Sequence, residues 1–166
     1  MKRIGLISDT HGTFDPRFAH HFATCDEIWH AGDIGTLEVA ERLAEIAPLR
    51  AVRGNIDGGE LRTAFPETLR FRCEEVDVLL KHIGGYPGHY NRSLRTTLLT
   101  HPPQLLVCGH SHILRVARDP QYHLLHLNPG AAGHYGHHLV RTLLRFCITG
   151  ERIHDVEVIE LAEGDD

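Results

Sequence analysis

Seven side chains that bind divalent metals well occur in order along the chain: Asp9, His11, Asp33, Asn55, His82, His110 and His112. Asp9 and His11 are two apart, as are His110 and His112, and in extended chain that spacing puts both side chains on one side. Gly32, Gly54 and Gly109 stand directly before Asp33, Asn55 and His110, where glycine permits a tight bend and close backbone approach. Two Asp, one Asn and four His mix carboxylate with imidazole, a donor set suited to Mn, Fe, Co, Ni or Zn rather than Ca or Mg. Two divalent ions carry four positive charges. Asp9, Asp33 and a bridging hydroxide remove three, which leaves a net attraction for a phosphate anion. Metals roughly 3.5–4 Å apart can share a hydroxide, lower the pKa of its parent water and clamp an in-line displacement at phosphorus. The set therefore predicts a centre for two divalent cations that cleaves phosphate esters, with Asp33, Asn55 and His82 carrying the catalysis. Each short motif also occurs by chance on a generic α/β domain with scattered loop histidines, so the argument rests on the order and placement of all of them.

Placement follows from the elements. Apolar runs over 3–8, 27–31, 50–53 and 105–108 read as buried strands, and each ends at a ligand segment. His82 closes a fifth run, 76–82. Leu37, Ala40, Leu43, Ala44 and Ala47 recur at helical spacing, which predicts an amphipathic helix over 36–47 with Thr36 as N-cap and Pro48 as stop. A helix over 16–25 gives the first half the order β-α-β-α-β, with parallel strands and right-handed crossovers. In the second half, strands are expected over 69–73, 113–118, 123–127, 142–149 and 152–161, and a helix over 91–99. Glu74-Glu75 and Thr149-Gly150-Glu151 read as tight turns. Glu163-Gly164-Asp165-Asp166 reads as a frayed end. The fold class is α/β: two mixed sheets packed together with helices on the outer faces, one domain over 1–166. In such sheets ligands bind where loops converge at the carboxyl ends of the strands.

Bulk properties narrow the function. The formal net charge is −5 with no Lys/Arg-rich run, which argues against duplex nucleic acid held by charge. No apolar run approaches the ~18–20 residues that span a bilayer. The first residues, Met1-Lys2-Arg3, lead into a strand rather than a signal peptide. Cys25, Cys73, Cys108 and Cys147 form no C-x-x-C pair, so a reduced, cytoplasmic chain with free thiols is expected. Fifteen histidines are too many to be ligands all together, so position decides among them.

Ser8-Asp9-Thr10-His11-Gly12, His30-Ala31-Gly32-Asp33, Arg53-Gly54-Asn55-Ile56-Asp57, Lys81-His82, Cys108-Gly109-His110-Ser111-His112 and Asn128-Pro129-Gly130 resemble the motifs of the calcineurin-like metallophosphoesterases. The likeness covers nearly the whole chain. Within the superfamily it points to the small bacterial and archaeal phosphodiesterases, which are also similar to the retromer subunit. The resemblance implies a four-layer α/β/β/α sandwich. It implies that Asp9, His11, Asp33 and His112 hold a first metal, and that Asp33 bridges to a second completed by Asn55, His82 and His110. Mn is the expected metal, with Fe, Zn, Ni and Co as alternatives. Asp57 and His30 would orient ligands, and Asn128-Pro129-Gly130 would form a turn beside the site.

Departures from the pattern carry expectations of their own. Larger relatives place a histidine after the G-N pair to protonate the leaving oxygen, and Ile56 cannot do so. Ile83 replaces a glycine after His82. Ala131-Ala132-Gly133 replaces the Ser and Pro-Arg that often follow N-P-G, so a basic group for the substrate must come from elsewhere, with Arg92, Arg95, His134 and His137 as candidates. A small phosphoester is the expected substrate. Two alternatives stand beside the hydrolase. One is a non-catalytic interaction scaffold on the same fold. The other is a nucleotide-directed enzyme whose Tyr86-Pro87-Gly88-His89-Tyr90 stretch stacks on a base. Self-association into a homo-oligomer is left open by the sequence.

Overall fold

The computed structural model describes residues 1–162; the expected frayed end at Glu163–Asp166 lies outside the described residues. Two five-stranded mixed sheets carry the fold. The first runs β12(Arg152–Leu161), β11(Arg141–Thr149), β1(Lys2–Ile7), β2(Glu27–His30), β3(Leu49–Ala51) from edge to edge. β1, β2 and β3 are parallel, and β11 joins β1 antiparallel with Ile4 opposite Phe146. The second runs β4(Thr68–Cys73), β5(Val76–Lys81), β8(Leu105–Val107), β10(Leu124–Asn128), β9(Arg115–Asp119), with β5, β8 and β10 parallel. A two-stranded hairpin, β6(Gly85–Tyr86) and β7(His89–Tyr90), stands apart from both.

Alternation along the strands builds the layers. Ile4, Leu6, Trp29, Val78, Leu80, Leu105, Val107, Leu127 and Phe146 meet between the two sheets, all buried. On the outer face of the first sheet, Ile7, Ile28 and Ala51 pack against α1(Pro16–Phe22), α2(Leu37–Ile46) and α3(Glu60–Ala64) through Phe18, Phe22, Val39, Ala40, Leu43 and Leu61. On the outer face of the second, Leu79, Leu106 and Leu124 pack against Leu94 and Leu98. Leu94 ends a 3-10 turn (Arg92–Leu94), and Leu98 lies in α4(Arg95–Thr100), which continues from it. The result is the expected four-layer α/β/β/α sandwich.

Local differences have physical causes. The helix expected over 91–99 begins as a 3-10 turn because the Asn91 side chain accepts a hydrogen bond from Ser93 N at 3.0 Å. The helix over 36–47 is present as α2, but Thr36 supplies no side-chain cap. The stretch Tyr86 to Tyr90 forms the β6–β7 hairpin, and its aromatic rings are engaged. Arg115 lies over the Tyr86 ring at 4.3 Å, and Tyr90 Oη donates to Asp119 at 2.5 Å.

His126, on the outer face of β10, is fully buried, and burial together with nearby Arg115 pushes its pKa down to about 4. The unfolded chain titrates this ring near 6.5, so below that pH the unfolded state takes up the proton first. Stability present above pH 6.5 is lost as pH falls toward 4, on the order of 3 kcal/mol in all. Replacing His126 with Leu is expected to flatten this part of the acid limb in urea unfolding of the metal-free protein. A variant as acid-sensitive as the parent would refute the assignment.

Candidate metal centre

Five parallel strands of the two sheets deliver all seven donors to one edge. Asp9 and His11 follow β1, Asp33 follows β2, Asn55 follows β3, His82 follows β5 directly, and His110 and His112 follow β8. The sixth parallel strand, β10, ends in Asn128, whose Nδ2 donates to Gly109 O (3.1 Å) and Ser111 Oγ (3.2 Å) while its Oδ1 accepts from Gly130 N (2.9 Å). The N-P-G turn thereby holds the His110–His112 loop.

Six of the seven donors fall into two triads, Asp9-His11-His112 and Asp33-His82-His110, each with its ligand atoms within 4.8 Å of one another. Contacts also run between the triads. Asp33 Oδ2 lies 3.2 Å from His82 Nε2 and 3.4 Å from His11 Nε2. Asp9 Oδ1 lies 3.2 Å from His112 Nε2 and 3.9 Å from His82 Nε2. Asn55 Oδ1 sits 3.1 Å from both His82 Nε2 and His110 Nδ1. All seven expected donors are thus brought together, and Asp33 stands between the triads.

The backbone is bent to achieve this. Asp9, His11, Asp33, His110 and His112 all have positive φ, between 46° and 72°. Such angles are uncommon for residues with a Cβ, and they persist where the surroundings over-determine them. Here the loop ties are explicit: Asp9 N donates to Gly32 O, and His11 N donates to Asp33 O (2.9 and 3.0 Å). Asp57 clamps the same loops, its carboxylate accepting from Ile34 N, Gly35 N and Gly54 N at 2.8–3.1 Å. His30, fully buried, accepts from Gly32 N at Nδ1 and meets Thr10 Oγ1 at Nε2, both at 3.0 Å. Burial holds its pKa down at about 4, so the ring is neutral. Asp57 and His30 thus hold the loops that carry the donors; their hydrogen bonds run to backbone N–H groups and to Thr10, not to the donor side chains.

The electrostatics fit cations. The Ala31 carbonyl can only accept, so His82 Nδ1 donates to it at 2.7 Å. In the neutral ring Nε2 then presents a lone pair to the oxygens of Asp33 and Asn55. Lone pair against lone pair is repulsive unless a proton or a metal lies between. Burial opposes charge on His82, but Asp33 and Asp9 outweigh it and raise its pKa. Burial likewise opposes ionisation of Asp9 and Asp33. The histidines, chiefly His112 for Asp9 and His82 for Asp33, outweigh it and hold both carboxyls below the usual range. Asp9 Oδ1 and His11 Nδ1 are buried with no hydrogen-bond partner. An orphaned carboxylate oxygen facing imidazole nitrogens is what a metal ligand looks like without its metal.

Two cavities flank the centre. One, of 330 Å³, opens on Asn55 and His82 and is lined also by Arg53, Arg62, Lys81 and Ser93. The other, of 790 Å³, opens on His110 and His112 and is lined by His134, Tyr135, His137 and His138. The Tyr135 ring packs on His11 with centroids 4.9 Å apart, and His138 meets His112 edge-on at 5.2 Å. The histidine cluster is therefore a rim of the site. Arg92 and Arg95 line neither cavity and are exposed. Ile56 contributes its backbone N–H to Asp33 Oδ1 (3.1 Å) while its side chain stands half-exposed. Sequence reasoning placed Ser8 and Lys81 in its motifs but gave neither a role: the Ser8 hydroxyl donates to Asp9 Oδ2 at 2.6 Å, and Lys81 is a buried cation at the end of an apolar strand. The Lys81 signal lay in the sequence, directly beside His82.

A family model for the calcineurin-like phosphoesterase superfamily domain matches residues 1–151. A probable metallophosphoesterase of Methanothermobacter thermautotrophicus is 31% identical over 140 residues, covering 77% of this chain and 76% of the relative. Among solved structures, wild-type Vps29 of Entamoeba histolytica complexed with zinc superposes with a TM-score of 0.73 at 18% identity, covering 96% of this chain and 98% of that one. A structure described as a novel archaeal phosphodiesterase superposes at 0.71 and 19% identity, covering 96% and 99%. At such identities the structural likeness establishes the fold.

Proposed function

The chain belongs to the calcineurin-like phosphoesterase superfamily, and on that premise we propose that it is a phosphodiesterase that works with two divalent transition metals, Mn first among them. The observation that carries this reading is the pair of triads with Asp33 Oδ2 within 3.4 Å of a histidine of each. Asp9, His11 and His112 would hold one ion and Asn55, His82 and His110 the other, with Asp33 common to both. The chemistry that such a bound pair supplies is a lowered pKa for a shared water, in-line attack by the resulting hydroxide and neutralisation of charge at phosphorus. The protein's own residues do the rest. Ser8 and the His110 backbone N–H hold Asp9 Oδ2. The Ala31 carbonyl fixes the His82 tautomer.

Preference for diesters is supported by the two cavities. A diester has two substituents on phosphorus, and a cavity lies beside each triad to receive one. With Ile56 where relatives carry a proton donor, leaving groups that need little protonation are favoured. Four buried, unpaired thiols suit a reducing, cytoplasmic setting, and no helix among the described residues is long and apolar enough to cross a membrane. The scaffold alternative draws on the Vps29 likeness; the complete donor set weighs against it.

The deciding experiment uses Mn²⁺-loaded protein. Bis-p-nitrophenyl phosphate is expected to turn over with kcat/KM at least about tenfold above that of p-nitrophenyl phosphate, as two substituent sites rather than one contribute binding. Equal values would remove the diester assignment, and no turnover of either ester would return the scaffold reading.

A further inference from the structure

The 330 Å³ cavity beside Asn55 and His82 has a charge that the metal chemistry leaves unexplained. Lys81 is only 8% exposed and faces into it. Lysine is rarely buried that deeply without a partner, and the partners here are poor. Glu67 Oε1 lies 3.4 Å away on a largely exposed side chain, and Thr68 Oγ1 lies at 3.3 Å. Both distances exceed the ~2.7–2.9 Å of a formed charge-assisted bond. Arg53 spends Nη1 on the carbonyls of Phe65 (3.0 Å) and Arg62 (3.4 Å), which leave its charge uncompensated. The Arg62 guanidinium makes no hydrogen bond or ion pair among the described residues. Of the two carboxylates on the wall, Asp57 is committed to three backbone N–H groups, and Glu67 is mostly in solvent. Three cations therefore converge on one small cavity, in a chain whose net charge is −5.

The opposite cavity differs in kind. Its walls hold histidines, a tyrosine, serine, glycine and Ile113, with neither Lys nor Arg. The two sides of the centre thus ask for different substituents. Guanidinium forks and an ammonium select a compact oxyanion with several acceptor oxygens. A volume of 330 Å³ is near the lower end for ligand cavities and suits one small group.

Resting on the phosphodiesterase reading above, we propose that the cavity formed by Arg53, Arg62 and Lys81 binds a second phosphate of the substrate, so that the preferred substrates are phosphodiesters carrying a phosphate monoester on one arm. These residues supply the basic groups that the Ala131-Ala132-Gly133 segment lacks. The second phosphate seats beside Asn55 and His82, and the uncharged arm lies toward His134–His138.

The test compares thymidine 5′-(p-nitrophenyl phosphate) with the same ester bearing a 3′-phosphate, using Mn²⁺-loaded protein. The 3′-phosphate is expected to raise kcat/KM about tenfold or more, mostly through KM, the scale of one well-formed charge-assisted contact. In Arg62→Ala and in Lys81→Met the ratio of the two esters is expected to fall toward one. The ratio cancels any general loss of activity or metal in a variant. A wild-type ratio near one, or a ratio unchanged in both variants, would overturn the proposal. If that happens while bis-p-nitrophenyl phosphate is still hydrolysed, the phosphodiesterase reading stands without this refinement. If no ester turns over, that reading fails, and calorimetric titration of metal-free protein with pyrophosphate decides the cavity. Binding weakened in Arg62→Ala supports it; equal binding in both proteins, or none, overturns it.

Discussion

Asp33→Ala is expected to lower Mn²⁺-dependent hydrolysis of bis-p-nitrophenyl phosphate by about 10³-fold or more, the scale of losing metal-assisted generation of the nucleophile. No other donor has its position. Its Oδ2 is within 3.4 Å of a histidine in each triad, and its Oδ1 is held by the Ile56 N–H. On the proposed arrangement, removing it takes one donor from each ion and leaves Asp9 as the one carboxylate among the donors. Metal content measured on the purified variant is expected to fall along with the rate. A second readout follows from protonation. In the metal-free chain Asp33 and Asp9 outweigh the burial penalty and raise the pKa of His82. A metal must displace that proton, so its affinity rises with pH until His82 is neutral and falls as pH drops below that point. Without Asp33 the pKa of His82 moves down and the pH dependence of metal affinity becomes shallower. A variant with parental rate and parental metal content would end the shared-carboxylate model.

The donors were legible in the sequence because each follows a short apolar run, and a buried parallel strand has few places to put a carboxylate or an imidazole except its carboxyl end. Asp9, Asp33 and His110 could be placed on that logic before any side-chain position was known. The layer order was legible for the same reason: strands in the first sheet alternate with helices, of which 36–47 shows clear periodicity at Leu37, Ala40, Leu43, Ala44 and Ala47; in the structure Val39, Ala40 and Leu43 are the residues α2 buries. The elements that escaped are those with too little periodicity to register. α3 is five residues long and buries only Leu61, and the β6–β7 strands have two residues each. The left-handed backbone at Asp9, His11 and Asp33 also left no trace, since the loop pairings that enforce it join residues distant in sequence. The basic cavity was hidden for a similar reason. Arg53 and Lys81 stand close to donors in the sequence motifs and Arg62 in none, and the convergence of the three exists only once α3 and the end of β5 face one opening.

A change that touches no metal donor should disable the centre almost as thoroughly. Gly54→Ala places a Cβ against Asp33, overlapping its Oδ1, its Cγ and its backbone nitrogen. A flexible side chain could swing aside, but the backbone of Asp33 cannot. It is fixed on both sides, by His11 N to Asp33 O at 3.0 Å and Gly12 N to Ile34 O at 2.8 Å. Gly54 is equally fixed, its N–H donating to Asp57 Oδ2 at 2.8 Å. Relief requires the β2 and β3 loops to separate, which breaks the Asp57 clamp and carries Asp33 away from His82. A destabilisation of about 3 kcal/mol is expected from overpacking and the lost loop hydrogen bonds, together with a loss of about 10²-fold or more in kcat/KM, since small misplacements of reacting groups are costly. Gly58→Ala is the matched control: a Cβ there meets nothing within 4 Å. Its stability should match the parent or rise slightly, because alanine narrows the unfolded ensemble. Urea unfolding of the metal-free proteins and rates at saturating Mn²⁺ separate the two effects. If Gly54→Ala retains parental activity while Asp33→Ala does not, Asp33 tolerates displacement, and the close approach of the β2 and β3 loops is not what sets the geometry of the centre.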